Sequence, residues 1–348
     1  MNPVMLGMML SSLALGTTLT LMSSHWLLAW MGLEINTLAI LPLMAARHHP
    51  RMVEATMKYF IIQAAAAALI LFAANSNAWI TGQWSINFNL HEFPATLITL
   101  ALALKMGIAP MHFWLPEVLQ GLDLTTGLIL STWQKIAPFV LMSQIMPVNS
   151  HMITLFGLAS ILLGGWGGLN QTQLRKILAY SSIAHLGWMI LIMQFSQELA
   201  LLALVLYILM TSATFLIFKF NSSTTMNSLA TSWTKTPVLM AVTPLVLFSL
   251  GGLPPLSGFL PKWMIIQEMT KQGIPLTASF AALSALLSLY FYLRLSYALT
   301  LTISPNNLNT TAPWRLYPTT LTLPLALASS ASTMILPLAP AMLALIIL

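Results

Sequence analysis

Four ionisable side chains lie deep within apolar stretches of the sequence: Glu34, Lys105, Lys135 and Lys262. A charge at the centre of a bilayer costs about 2.5–3.5 kcal/mol, so each such group needs a partner or a water-filled cavity. One carboxylate cannot neutralise three ammonium groups. Lysines held in that condition can exchange protons near neutral pH. The four residues therefore predict a proton pathway inside a membrane protein.

Two histidines lie within the same apolar surroundings, His112 and His185. A neutral imidazole both donates and accepts a hydrogen bond, which suits a relay between lysines. Plainer interpretations stay open from the sequence alone. A single lysine can form a structural ion pair or extend its stem to the interface, and a histidine can hydrogen-bond a neighbouring helix.

The composition indicates that the chain is surrounded by lipid. Of 348 residues, 58% are hydrophobic and only 6% are Asp, Glu, Lys or Arg, against roughly 25% charged residues in an ordinary soluble domain. Uncharged runs long enough for the ~20 residues of a membrane helix recur along the chain. Barrel strands would be short and alternating. The sequence predicts an all-α integral membrane protein.

About eleven transmembrane helices are expected. This number can be checked by the distribution of Lys and Arg residues between the two faces of the membrane. The predicted crossings lie near 3–22, 26–45, 55–77, 95–120, 124–146, 149–170, 176–195, 198–219, 238–271, 276–299 and 322–346. With eleven crossings, one face, the one that holds the N-terminus, receives eight cations: Arg47, Arg51, Lys58, Arg175, Lys176, Lys219, Lys235 and Arg315. The opposite face receives Lys271. Positive residues stay inside, so the N-terminus is expected in the cytoplasm or matrix and the C-terminus on the other side.

An internal repeat joins two of these helices. Residues 107–116 and 252–261 both read Gly-x-x-Pro-x-x-x-aromatic-Leu-Pro with equal spacing. The helix breaks are assigned to Gly107, Pro110, Pro116, Gly252, Pro254, Pro255 and Pro261. The two motifs are five crossings apart, so the second unit enters the membrane inverted. Such paired breaks indicate a transporter-type site, although two Pro-kinked helices could also arise separately.

The repeat predicts three parts of the chain. Residues 1–147 form a first five-helix repeat, whose broken helix lies near 95–120. Residues 148–300 form a second, inverted five-helix repeat, whose broken helix lies near 238–271. Residues 301–348 form a loop and one C-terminal helix.

Several classes of protein are excluded by what the sequence lacks. It contains no cysteine, so it has no disulfide and no Cys-ligated cluster. We find no nucleotide-binding glycine loop, haem-attachment signature or catalytic triad, and no basic stripe for nucleic acid. We expect no metal site and no cofactor in this chain. Glu54 and Lys58, spaced i, i+4, predict a surface ion pair.

Three segments resemble a known family, the antiporter-like subunits of respiratory complex I. Residues 174–187 look like the family signature, and residues 105–116 and 251–262 resemble its two broken helices. The resemblance implies a proton-translocating subunit of the membrane arm, driven by quinone reduction elsewhere in the complex. It implies a mitochondrial inner-membrane location with the N-terminus in the matrix and the C-terminus in the intermembrane space.

The resemblance also implies roles and partners. Glu34 and Lys105 would be the coupling pair, Lys135 the connecting lysine and Lys262 the exit-side lysine. NADH, FMN, iron–sulfur clusters and ubiquinone would be bound elsewhere in the complex. Partners would be other membrane-arm subunits, including neighbouring antiporter-like ones, and lipid, including cardiolipin. The family usually has fourteen helices, and the three missing ones would precede Met1.

Two other functions are weighed against the redox-driven proton channel. An autonomous cation/proton antiporter would need a carboxylate cation site, to which only Glu34 lies deep enough to contribute. An inert structural spacer would leave the deep lysines unexplained. The proton channel accounts for the most residues.

Overall fold

The part of the chain that the structure describes is built of helices. The computed structural model describes residues 3–86, 90–145, 150–234, 236–301, 322–338, 340–341 and 344. Among these residues it contains no β-strand, and its α-helices are α1 (Pro3–Met22), α2 (Trp26–Met44), α3 (Pro50–Thr81), α4 (Glu92–Met106), α5 (Trp114–Gly121), α6 (Leu124–Ser131), α7 (Trp133–Gln144), α8 (Ser150–Gly168), α9 (Leu174–Met193), α10 (Gln197–Phe220), α11 (Met226–Ala230), α12 (Pro237–Gly251), α13 (Phe259–Lys271), α14 (Pro275–Thr300) and α15 (Leu323–Met334).

The predicted all-α membrane fold is confirmed. Within the described residues, seven helices are long and apolar enough to cross a membrane: α1, α2, α3, α8, α9, α10 and α14. The remaining segments are shorter helices that follow one another, such as α4 and α5. The predicted number of eleven crossings stays a prediction. Lys235, Arg315 and most of the loop before α15 lie outside the described residues.

The chain divides into two compact units, residues 1–156 and 157–348. The predicted boundary between repeats, at 147/148, lies outside the described residues. Both units place an interrupted helix after three long ones: α4 and α5 follow α1–α3, and α12 and α13 follow α8–α10. The inverted relation of the two repeats stays a prediction.

Close packing of α1 on α2 depends on small residues. A side chain at Gly16 would lie 2.9 Å from the Gly32 carbonyl oxygen, and one at Gly32 would lie 2.9 Å from the Gly16 carbonyl oxygen. Glycines at the crossing let the two backbones touch, as membrane helices require in the absence of a hydrophobic driving force. The two helices therefore hold Asn36, which is buried on α2, against α1.

A short backbone bridge recurs at the same place in both units. In the first unit, the residue pair His25 and Ser85 forms an antiparallel bridge between the α1–α2 loop and the segment after α3. In the second unit, Gln173 and Thr225 form the equivalent bridge between the α8–α9 loop and the segment after α10. Both bridges use the same reciprocal backbone hydrogen bonds. The bridges tie the ends of three successive helices together.

The two interrupted helices end in the same way. Gly107 closes α4 with φ 76°, and its N–H donates to the carbonyls of Ala103 and Leu104. Gly252 closes α12 with φ 78°, and its N–H donates to the carbonyls of Phe248 and Ser249. This is the left-handed cap that favours glycine. The predicted interruptions are confirmed in both motifs.

Two of the residues assigned to the breaks were placed wrongly. Pro116 and Pro261 lie in the first turn of the helices that follow, α5 and α13. Proline is tolerated there because the first N–H groups of a helix have no intrahelical partner. Gly107 and Gly252 end the preceding helices, and Pro110, Pro254 and Pro255 lie between the half-helices.

A third interruption was not predicted from the sequence. The expected helix over 124–146 is divided at Thr132, which has φ −111° and ψ −70° and separates α6 from α7. The Thr132 hydroxyl donates to the Leu128 carbonyl at 2.7 Å. Such hydrogen bonds from a threonine side chain to its own helix compete with the backbone hydrogen bonds of that helix. The nearest glycine and proline lie several residues away: Gly127 five residues earlier within α6, and Pro138 six residues later within α7.

Adjacent glycines at the end of α12 allow a matched test of the cap. We expect Gly252→Ala to destabilise the protein by roughly 1–2 kcal/mol, because alanine is strained at positive φ. The new methyl group would also lie 2.8 Å from Lys262 Cδ. Gly251→Ala is the control, since its methyl group would meet only Tyr292, at 3.7 Å. Thermal inactivation of the assembled protein is the measurement, and equal losses in the two variants would contradict the assignment.

Candidate functional site

Glu34 and Lys105 form the charged centre of the first unit. Glu34 projects from α2, and Lys105 projects from the last turn of α4, where its side chain is buried. The two charges lie close enough to attract each other. No ion pair within 4.0 Å joins them in the described residues, and neither Glu34 Oε2 nor Lys105 Nζ has a hydrogen-bond partner there. The two charged groups therefore lie near each other without forming a direct ion pair.

A small internal cavity lies beside this pair. Its volume is about 20 Å³, which suffices for roughly one water molecule. Its wall combines apolar residues of α2, α4, α5, α6 and α7 with seven polar side chains: Asn36, Thr37, Tyr59, Gln63, Lys105, Gln134 and Lys135. Tyr59 also lies within the electrostatic reach of Glu34. The structure thus brings two of the predicted lysines to one cavity, with Glu34 nearby.

Lys135 also lines this cavity. It lies in the first turn of α7, three residues after the interruption at Thr132, and is 2% exposed. Its neighbour Gln134 donates to the Asn36 carbonyl at 3.2 Å, which fixes α7 on α2.

The carbonyls freed at the first interruption are satisfied by side chains. The Trp114 indole N–H donates to the Leu104 carbonyl at 3.1 Å, and the Gln63 amide donates to the Lys105 carbonyl at 3.3 Å. In hydrocarbon, an unsatisfied backbone group costs several kcal/mol. These bonds from α5 and α3 therefore hold the end of α4, and with it Lys105, in place.

His112 lies between α4 and α5 but does not contribute to the cavity wall. Its ring stacks on Phe113 with centroids 4.5 Å apart and hydrogen-bonds the Pro110 backbone. Both contacts lie within the interruption itself. The predicted part of His112 in the pathway stays a prediction.

Lys262 is the charged centre of the second unit. It projects from the first turns of α13 and its ammonium group donates to the Gly251 carbonyl of α12 at 2.7 Å. The carbonyl end of a helix attracts cations, so this contact joins the two halves of the interrupted helix. Lys262 stands ten positions after Gly252, and Glu117 stands ten positions after Gly107. The same position carries opposite charges in the two units.

His185 lies in a polar cluster of the second unit. Its ring is 5.6 Å from that of Tyr207 on α10. The Tyr207 hydroxyl hydrogen-bonds Ser182, and the Tyr292 hydroxyl of α14 faces Ser181. Both serines and both tyrosines are buried. This cluster was not predicted, because isolated hydroxyl residues in apolar helices give no periodic signal.

Two further charged contacts were missed or only partly predicted. Arg294 of α14 donates to the Leu169 carbonyl at the end of α8, and its position inside an apolar helix was the signal that could have identified it. The predicted pair of Glu54 and Lys58 is confirmed, with 2.9 Å between Oε1 and Nζ. Lys58 also contacts Glu117 at 2.8 Å. These side chains are exposed to solvent, which screens each pair, so the pairs contribute little to stability.

Comparison with known proteins identifies the class that this fold and these charges define. A family model described as "NADH:quinone oxidoreductase/Mrp antiporter, TM" matches residues 23–288, and one described as "NADH dehydrogenase subunit 2 C-terminus" matches residues 289–343. The chain belongs to the NADH:quinone oxidoreductase/Mrp antiporter transmembrane family.

Within that family, the two relatives described next share one name. The chain is 76% identical over 346 residues to NADH-ubiquinone oxidoreductase chain 2 of Gadus morhua, covering 99% of each chain. It is 66% identical over 349 residues to the protein of that name from Oncorhynchus mykiss, covering 100% of each. The predicted resemblance to the antiporter-like subunits of respiratory complex I is confirmed.

Solved structures agree on the fold. A chain of respiratory complex I from Thermus thermophilus superposes with a TM-score of 0.78 and 27% identity, over 94% of this chain and 78% of that one. A chain of the Mrp complex from Dietzia superposes with a TM-score of 0.80 over 96% of this chain and 75% of that one. At 16% identity, the second likeness concerns the fold alone.

The Gln63 contact provides a test of how the cavity wall is held. We expect Gln63→Leu to destabilise the protein by about 1–3 kcal/mol, because the buried Lys105 carbonyl would lose its hydrogen bond. The measurement is the thermal inactivation of the assembled protein. Gln272→Leu is the matched control, since Gln272 is exposed and, within the described ranges, its side chain bonds only Glu268 of its own helix end. A Gln63 variant as stable as the control would rule out this role.

Proposed function

We propose that this chain is a proton-translocating subunit of the membrane arm of respiratory complex I. It would move protons along buried Glu, Lys and His side chains while quinone is reduced elsewhere in the complex. The name shared by the relatives, NADH-ubiquinone oxidoreductase chain 2, supports its place as a subunit of that enzyme. No redox step is assigned to this chain.

One observation carries the proposal: Glu34 and Lys105 attract each other without closing an ion pair, beside a cavity that also holds Lys135. A closed pair would be a structural bond. An open pair at ~7 Å and an effective dielectric of 20 is worth about 2.4 kcal/mol. Moving one charge across 100 mV costs about 2.3 kcal/mol. Opening or closing the pair therefore matches the energy of one proton step.

The roles of the charged groups follow from this arrangement. Glu34 and Lys105 would act as the coupling pair, and Lys135, which lines the same cavity, would take up or pass on the proton. In the second unit, Lys262 would be the exit-side lysine and His185 an intermediate acceptor. Lys262 now rests on the Gly251 carbonyl, so it would leave that carbonyl when it exchanges its proton.

The setting follows from the same kinship. The helices and relatives support a multi-pass protein of the mitochondrial inner membrane. We propose that the N-terminus lies in the matrix and the C-terminus in the intermembrane space. Neighbouring membrane-arm subunits would cover the exposed apolar helices, with cardiolipin among the surrounding lipids. NADH, FMN, the iron–sulfur clusters and ubiquinone would be bound by other subunits.

Charge removal at the deep lysines tests the proposal. In the assembled complex, reconstituted in liposomes, Lys105→Ala and Lys262→Met should slow proton transfer. At Lys105, losing an attraction of about 2.4 kcal/mol slows the step on the order of 50-fold. The measurement is the number of protons moved per NADH oxidised and the rate, per assembled complex. Lys271→Met is the control, because Lys271 is exposed and, among the described residues, pairs only with Glu268.

Two outcomes would contradict this function. Full proton movement in the Lys105 and Lys262 variants would show that the deep lysines are structural. Cation-dependent proton flux through the purified chain alone in liposomes would indicate an autonomous antiporter, which needs no quinone chemistry.

A further inference from the structure

The second unit contains a buried hydroxyl cluster beside His185 and near the helix end that Lys262 bonds. Three helices supply it: α9 gives Ser181, Ser182 and His185, α10 gives Tyr207, and α14 gives Tyr292, which lies beside the end of α12. The two tyrosines and two serines are each at most 1% exposed.

The contacts of these groups form a continuous series. Tyr207 packs on His185 and hydrogen-bonds Ser182, and it lies within electrostatic reach of Tyr292. Tyr292 in turn packs beside Gly251, where an added methyl group would meet its ring at 3.7 Å. Gly251 is also the residue whose carbonyl accepts from the Lys262 ammonium group. Tyr207 thus lies beside His185, and Tyr292 lies beside Gly251, whose carbonyl holds Lys262.

The hydroxyl groups, and not only the rings, require an explanation. Ser181 and Ser182 donate their own hydroxyl protons to helix carbonyls at 2.8 Å and 2.7 Å, so their oxygens are left to accept. The Tyr292 hydroxyl faces Ser181 but makes no hydrogen bond among the described residues. A buried hydroxyl without a partner costs about 1–3 kcal/mol. Phenylalanine would fill the same space without that cost.

We propose that Tyr207 and Tyr292 are proton-relay residues that connect Lys262 with His185. This inference rests on the proposed function, because it gives a route to a proton that the lysine and the histidine exchange. Each hydroxyl accepts a proton on its oxygen from one side and releases its own proton to the other. The tyrosine ends as it began, with no change in net charge and no electron transferred.

The test removes one oxygen atom at a time. Tyr207→Phe and Tyr292→Phe keep the ring and its packing. In the assembled complex reconstituted in liposomes, each should lower the rate of proton movement by about a hundredfold, the lower end for a positioned proton-transfer group. The amount of assembled complex should stay unchanged. Rates in D₂O and H₂O, compared for each variant, report on the proton step and would not respond to a loss of packing alone.

Matched controls lie on the same helix. Tyr290 and Tyr297 of α14 are 58% and 57% exposed, so Tyr290→Phe and Tyr297→Phe remove the same atom outside the cluster and should leave proton movement unchanged. Proton rates are expressed per assembled complex, so a reduced yield does not obscure the result.

A parallel Lys262→Met variant separates the two levels of inference. If Lys262→Met lowers proton movement and both Tyr→Phe variants retain it, the relay is overturned and the proposed function stands. If Lys262→Met retains full proton movement, the proposed function fails and the relay fails with it. Reduced proton movement in Lys262→Met and in Tyr207→Phe or Tyr292→Phe supports the relay, provided that Tyr290→Phe and Tyr297→Phe leave proton movement unchanged.

Discussion

A helix that stops inside hydrocarbon leaves backbone carbonyls that water cannot satisfy. This constraint governs both interrupted helices of the protein. In the first unit, Trp114 and Gln63 bond the carbonyls of Leu104 and Lys105. In the second, the Lys262 ammonium group bonds the carbonyl of Gly251. The rest of the site depends on these bonds, because they hold in place the half-helices that carry Lys105 and Lys262.

The same constraint gives the two units different properties. In the first unit, neutral side chains satisfy the helix end, and the charges of Glu34 and Lys105 stay available to each other and to the cavity. In the second unit, the lysine itself satisfies the helix end. Loss of a proton from Lys262 would therefore weaken a backbone contact, whereas loss of a proton from Lys105 would not. Proton exchange and helix geometry are linked in one unit and separate in the other.

The sequence predicted those features that follow from strong local signals. Gly and Pro at fixed spacing predicted both interruptions, and the cost of buried charge identified Glu34, Lys105, Lys135 and Lys262 as site candidates. The interruption at Thr132 was not predictable, because no glycine or proline marks it. The tyrosine and serine cluster was missed for another reason: its members come from separate helices and acquire meaning only when packing brings them together.

Glu117 and Lys262 occupy the same position relative to their glycine caps, yet one is an acid that faces outward to Lys58 and the other a base that turns back to α12. The backbone on either side is closed by the same hydrogen bonds. A reversal of charge at this position has therefore needed no new fold. The glycine cap that precedes this position is the same in both units. The side chain placed there decides whether a half-helix is held by a neighbouring helix, as Glu117 is by Lys58, or by the other half of its own interrupted helix, as Lys262 is by Gly251.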